Sequence, residues 1–239
     1  MTRPPVFPRG ISAGALPSPN IWNDPATYEL ENQAVDPDGV IEQTMTSIRP
    51  YAGAVLLDIG CGTGFHLPRF ASVAAQVIGV EPHPALALGA QRRTRGLPNV
   101  EVRKGVAQDL PVDPSSIDLV HARWTYFFGP GCEPGLLEID RVLRRGGAAF
   151  IIDNDASTST FGRWFRWAHP TYDTDAVDAF FARHGWTNHR RLMRWSFPGR
   201  RELEAVVGIE FPPDLAQRIL AEHSGTDVDY AIVVRAKLS

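Results

Sequence analysis

The chain has 239 residues, 44% of them hydrophobic and 21% charged, which suits one α/β domain with additions and a core large enough to stand without staples. A net charge of -3 provides no global field for nucleic acid or an anionic membrane, and no apolar run is long enough to span one. The two cysteines, Cys61 and Cys132, lie far apart and argue against a disulfide scaffold or a zinc site, so no metal is expected. No signal peptide is evident around Arg3 and Arg9, and a reducing, cytoplasmic setting is the expectation.

In chain order, residues 1–20 carry prolines 4, 5, 8, 17 and 19 and read as an extended arm. Residues 21–50 read as a helical cap, with a short helix between Trp22 and Asn32 and another over 37–49 closed by Pro50. Residues 51–239 then form one domain. Strands are predicted at 54–59, 76–81, 100–104, 117–122 and 148–153, and the helices between them at 63–75, 84–95 and 133–143. The aromatic segment Trp164-Phe165-Arg166-Trp167-Ala168-His169-Pro170 reads as a connection poised to act as a lid. Helices follow at 173–184, 201–207 and 213–223, with strands at 190–197 and 229–237. The alternation predicts an α/β, doubly wound, mostly parallel sheet of seven strands with helices on both faces.

The chemistry gathers at Val55-Leu56-Leu57-Asp58-Ile59-Gly60-Cys61-Gly62-Thr63-Gly64. A buried strand ends there in glycines that let the backbone turn sharply and a ligand come close. Asp58 stands at the strand's carboxyl end, where open α/β sheets bind ligands. A nicotinamide fingerprint would need a third glycine where Phe65 stands. The spacing resembles the Asp-x-Gly-x-Gly-x-Gly motif of class I S-adenosylmethionine-dependent methyltransferases. Further elements follow in the family's order over residues 54–153. Glu81 ends the second strand, placed to accept bonds from both hydroxyls of a ribose. Gly105-Val106-Ala107-Gln108-Asp109-Leu110-Pro111 resembles Gly-Asp-Ala-x-x-Leu-Pro, with Val106 where the family has an acid. Ile117-Asp118-Leu119-Val120 resembles Phe-Asp-x-Val, and Glu138 to Gly147 resembles Glu-x-x-Arg-Val-Leu-Lys-Pro-Gly-Gly. Methyltransferase type 11-like proteins are the nearest pattern.

The resemblance implies a final strand inserted antiparallel to its neighbours, S-adenosylmethionine as cofactor and S-adenosylhomocysteine as product. It assigns Asp58, Gly60, Cys61, Gly62, Thr63 and Gly64 to the methionine-side cradle, Glu81 to the ribose, and Val106, Ala107 and Gln108 to adenine. With Val106 unable to accept the adenine amine, recognition there leans on backbone groups, or on Gln108 or Asp109 reaching across. Tyr28 of the cap is expected at the methionine end, and Arg123, counted with the cofactor set, at the border of the transfer site.

The expected reaction is in-line displacement of the methyl group onto a small-molecule acceptor. Trp124, Tyr126, Phe127 and Phe128 are candidates to line the acceptor pocket. Asp153, or Asp155, and His169 are the candidate general bases; His66 is a candidate to border the methionine part of the cofactor or the acceptor, and His121 reads as a core histidine with a satisfied partner. Two rival readings remain: a non-catalytic S-adenosylmethionine-binding regulatory module, and an RNA or protein methyltransferase using the acid-free basic run Arg183–Arg201. Where nucleic-acid amino-methyltransferases carry Asn/Asp-Pro-Pro-Tyr/Phe, this chain has Arg123-Trp124-Thr125-Tyr126, so neither nucleic acid nor a membrane is the expected partner. The oligomeric state and the acceptor's identity stay open.

Overall fold

The computed structural model describes residues 11–126 and 129–239. Strands β1 (Val55–Ile59), β2 (Gln76–Glu81), β3 (Val100–Lys104), β4 (Ile117–Arg123), β5 (Leu143–Asn154), β6 (Thr187–Ser196) and β7 (Asp227–Leu238) form one sheet, ordered β3-β2-β1-β4-β5-β7-β6. The first five run parallel, and β7 lies between β5 and β6, antiparallel to both. The order reverses between β1 and β4, which opens a crevice at their carboxyl ends.

Alternating side chains feed two cores. On one face Leu56, Phe150, Ile152 and Val234 pack with Trp164, Trp195 and Val206; on the other Leu57, Ile59, Val80 and Ile151 pack with Ile139 and Phe181. The helices that supply these layers are α1 (Pro19–Asn23), α2 (Pro25–Ala34), α3 (Val40–Ile48), α4 (Leu67–Ala71), α5 (Pro84–Arg93), α6 (Glu133–Val142), α7 (Thr160–Ala168), α8 (Thr174–Arg183), α9 (Arg200–Glu210) and α10 (Pro213–Glu222).

Several elements differ from the sequence reading. The helix expected from Thr63 to Ala75 is the five-residue α4, because Gly62 and Gly64 hold φ of 55° and 77°, outside the right-handed helical region. β5 begins at Leu143 rather than Ala148. The supposed lid is α7, whose Phe161, Trp164 and Phe165 are buried in the sheet core. Its start is capped by Ser159, whose hydroxyl accepts the Gly162 N–H at 3.0 Å. Of the arm, residues 11–18 have no regular structure and α1 begins at Pro19; prolines 4, 5 and 8 lie outside the described residues.

Helices α1 to α3 are fastened to the far side of the sheet. The Asn20 side-chain amide donates to Glu210 of α9 at 2.6 Å, and the buried Glu31 carboxyl also hydrogen-bonds Glu210. Burial, with Glu210 beside it, raises the Glu31 carboxyl well above the usual range. Val35 bridges to Trp195 of β6, and the Asp36 N–H donates to the Arg194 carbonyl at 3.1 Å.

Candidate active site

The glycine turn after β1 owes its shape to steric necessity. A Cβ on Gly60 (φ 74°) would sit 2.6 Å from Thr125 Oγ1, and one on Gly62 would sit 2.9 Å from Ile21 Cδ1. The Gly60 and Cys61 N–H groups both donate to the Val80 carbonyl, tying the turn to β2. The Gly62 N–H donates to Glu81 Oε2 at 2.9 Å, and the His83 N–H donates to Glu81 Oε1 at 2.8 Å. Glu81 is 4% exposed, and burial pushes its carboxyl up to about 7 despite these two donors. Asp58 Oδ1 lies 2.7 Å from His121 Nδ1, with both side chains buried, so His121 has the partner expected of a core histidine.

Above the turn lies a cavity of about 530 Å³, within the size range of small-molecule sites. Asp58, Gly60, Cys61, Gly62, Thr63 and Glu81 line one part, and Val106, Ala107 and Gln108 another. Tyr28 and Arg123 line it from the cap and from the end of β4. Gly64 does not line it: a Cβ there would meet Ala90 and Leu67, so this glycine serves close packing of α5. The Gln108 amide donates to the Gly14 carbonyl at 2.6 Å, which fastens the arm across the mouth. Asp109 is exposed and is not in the lining. Gly14, Ala15, Ile21 and Thr125 belong to the lining and were not singled out from the sequence. Only the fold brings the arm back over the β2 loop, where the Ser12 N–H donates to the Pro82 carbonyl.

The candidate bases lie elsewhere. Neither Asp153 nor His169 lines this cavity. Asp153 faces α8 and the fully buried Arg235, whose Nε is 3.7 Å away; burial raises its carboxyl to about 6, against the pull of Arg235. Arg235 in turn pairs with Asp178, and Arg190 pairs with both Asp178 and Asp155, so the two strand-end acids belong to one ion network that runs from buried Arg235 to exposed Arg190. His169 ends α7, its ring 4.5 Å from that of Phe165. His66, by contrast, lines the cavity; burial, then Arg123, holds its imidazole well below the ordinary histidine range, hence neutral. Burial raises the Tyr28 phenol well above its usual value.

Trp124 and Tyr126 line the cavity, while Phe127 and Phe128 lie outside the described residues. Trp124 holds φ 51°, a strained value for a bulky residue, fixed by its indole N–H on Asn154 Oδ1 at 2.8 Å. A second cavity of about 440 Å³ adjoins the first under α2 and α3, sharing Asn32, Phe65, His66, His121 and Arg123 with it. The basic run is partly neutralised by acids outside it: Arg190 pairs with Asp155 and Asp178, Arg194 with Asp38, and Arg200 with Glu204 one helical turn away. Among the described residues no group of three or more His, Cys, Asp or Glu is placed to hold a metal, and no helix is long and apolar enough to cross a membrane.

Comparison with known proteins agrees with this geometry. A family model described as a methyltransferase domain matches residues 57–151. The cypemycin N-terminal methyltransferase of a Streptomyces species is 32% identical over 143 residues, 57% of this chain and 57% of that protein. A demethylmenaquinone methyltransferase of Staphylococcus carnosus is 25% identical over 181 residues, 69% of this chain and 70% of that protein. The chain thus spans little more than half the length of the first of these relatives. The YcgJ protein of Bacillus subtilis shares the fold, with a TM-score of 0.63 at 16% identity, covering 84% of this chain and 98% of that one. Motif order, strand order and these likenesses converge: residues 57–151 match a methyltransferase domain, set in a sheet with the α/β methyltransferase fold.

Proposed function

We propose that the chain transfers a methyl group from S-adenosylmethionine to a small-molecule acceptor. One observation carries the reading: a roofed chamber holds a steric cradle of glycines, two buried acids and an acceptor-sized extension. The residues fit the cofactor. Asp58 and the Gly60–Gly62 turn would take its amino-acid end, and a Cβ on either glycine would fill the cradle. Glu81 would accept from the ribose hydroxyls. Val106 and Ala107 would flank the adenine, with Gln108 occupied by Gly14. When bound, S-adenosylmethionine supplies a methyl group already activated on a cationic sulfur.

The chain's own work is then orientation and exclusion of water. The arm and α1 roof the turn, with Ile21 over Gly62 and the Thr63 hydroxyl donating to Glu29 at 3.2 Å. In-line displacement asks for no covalent group from the protein. Tyr28 and His66 both stay neutral, so they shape the chamber without adding charge beside the sulfonium.

Relatives bear names that range from demethylmenaquinone methyltransferase to tRNA U34 carboxymethyltransferase. The ion-paired arginines and the roofed chamber favour a small acceptor. The test is transfer of label from methyl-labelled cofactor into separate pools of aromatic acids, quinols, amines, short peptides and tRNA. Label is expected in a small molecule. Transfer to tRNA alone would overturn the reading, and binding without transfer to any pool would favour a regulatory module.

A further inference from the structure

We propose that the acceptor carries an oxyanion, a carboxylate or a phosphate, and that Arg123 holds it where the two cavities meet. The proposal rests on the methyl-transfer reading and names its substrate class.

Arg123 ends β4 and lines both cavities. Its guanidinium lies over the Trp124 ring, 4.2 Å from the centroid, and Nη1 is 3.4 Å from His66 Nε2. Nε and Nη2 are buried and meet no hydrogen-bond acceptor. Among the described residues no carboxylate forms an ion pair with it. The acids around it are engaged elsewhere. Asp36 accepts the Val40 and Ile41 N–H groups at 2.7 and 2.9 Å. Glu42 pairs with Arg69 and accepts from the Tyr51 hydroxyl, and the Glu31 carboxyl, raised well above its usual range by burial, bonds Glu210. His66, being neutral, offers a lone pair but no charge.

A largely desolvated guanidinium without a counter-charge is costly, and it makes the potential around it positive. The strained Trp124 backbone presents the indole face that supports it. The chamber is therefore polarised. Beside the glycine turn stand the acids Asp58 and Glu81, which suit a cationic cofactor; where the second cavity opens stands Arg123, which suits an anion and repels a cation. The second cavity contains neither the Gly60–Gly64 turn nor Glu81, so it leads away from the cofactor's contacts and leaves about 440 Å³ for the body of an acceptor. A guanidinium fork matches the planar oxygens of a carboxylate or the face of a phosphate.

The experiment loads the protein with S-adenosylhomocysteine and titrates benzoate, phenyl phosphate and benzyl alcohol by calorimetry. At least one anion is expected to bind tenfold or more tighter than the alcohol, and whichever anion does so separates carboxylate from phosphate. Arg123→Gln should abolish that preference while S-adenosylhomocysteine affinity stays within twofold, and Arg123→Lys should keep part of it. Equal binding of alcohol and anions, or no anion binding, overturns the proposal. So does a tenfold loss of S-adenosylhomocysteine affinity in Arg123→Gln that Arg123→Lys restores, because Arg123 then serves the cofactor's own carboxylate. Should Arg123→Gln not fold, the parent's anion preference and its partial retention in Arg123→Lys decide. Failure of the parent to bind S-adenosylhomocysteine sinks the methyl-transfer reading instead, and the anion preference is still read on the unloaded protein.

Discussion

Glu81 joins two tasks in one side chain. It accepts the Gly62 and His83 N–H groups, and burial brings its carboxyl to about 7. On the proposed reading, ribose hydroxyls would donate to the ionised form, so cofactor binding would favour loss of its proton. Affinity for S-adenosylhomocysteine should therefore rise between pH 6 and 8 and then level off. Calorimetry in buffers of different ionisation enthalpy should register proton release near pH 7. Without ligand the sign is also fixed. A carboxyl raised from about 4.5 to about 7 in the folded state favours the protonated form, so its contribution to stability falls as pH rises through that window. Glu81→Ala should weaken cofactor binding tenfold or more at pH 8 and flatten the pH profile; a dissociation constant within twofold of the parent's would remove Glu81 from the ribose. Gly60→Ala adds a Cβ at φ 74° and 2.6 Å from Thr125 Oγ1, and should cost about 1–3 kcal/mol, read as a lower Tm.

Among the elements, α7 gives the clearest test of a role assigned by the fold. Trp164 has no exposed surface and packs with Phe211 and His223, so Trp164→Ala should cost about 3–5 kcal/mol in denaturant unfolding. A lid residue would instead alter turnover and leave stability almost unchanged. The sequence reading missed this helix although its cap, Ser159, was there to be read, because aromatic residues at helical spacing on a short segment also fit a loop. Strands β1, β2 and β4 were legible since burial on both faces writes a continuous apolar run. The start of α4 was not, because a glycine's φ sign cannot be read from its identity. Asp153 shows a different limit. Its position at the end of β5 was clear, yet strand alternation sets it on the face of Ile151, toward α8, and only the partner Arg235 reveals that destination. Val106, read from its motif, lines the cavity, while the contact of Gln108 with Gly14 links residues far apart in sequence.

The whole molecule behaves as a sheet with a cap clipped across its crevice. The cap is fastened to α9 and β6 as well as lying over the turn, so ligand in the chamber should tighten it as a unit. Amide hydrogen exchange should slow in α1, α2 and the Gly60–Gly64 turn when S-adenosylhomocysteine binds, with β7 unchanged; uniform protection would speak against a separable cap. The cap also covers one stretch of the sheet's border, where Val35 and Asp36 meet Trp195 and Arg194. The rest of β6, from Thr187 to Met193, is an outer strand that bears exposed Arg190 and Arg191 beside Leu192, 64% exposed. Charged groups there would have to shed water before another copy's strand could dock, so the arginines guard the border against self-association. Arg191→Val should turn that guard into a seam, with light scattering climbing over hours in concentrated solution while the parent stays clear.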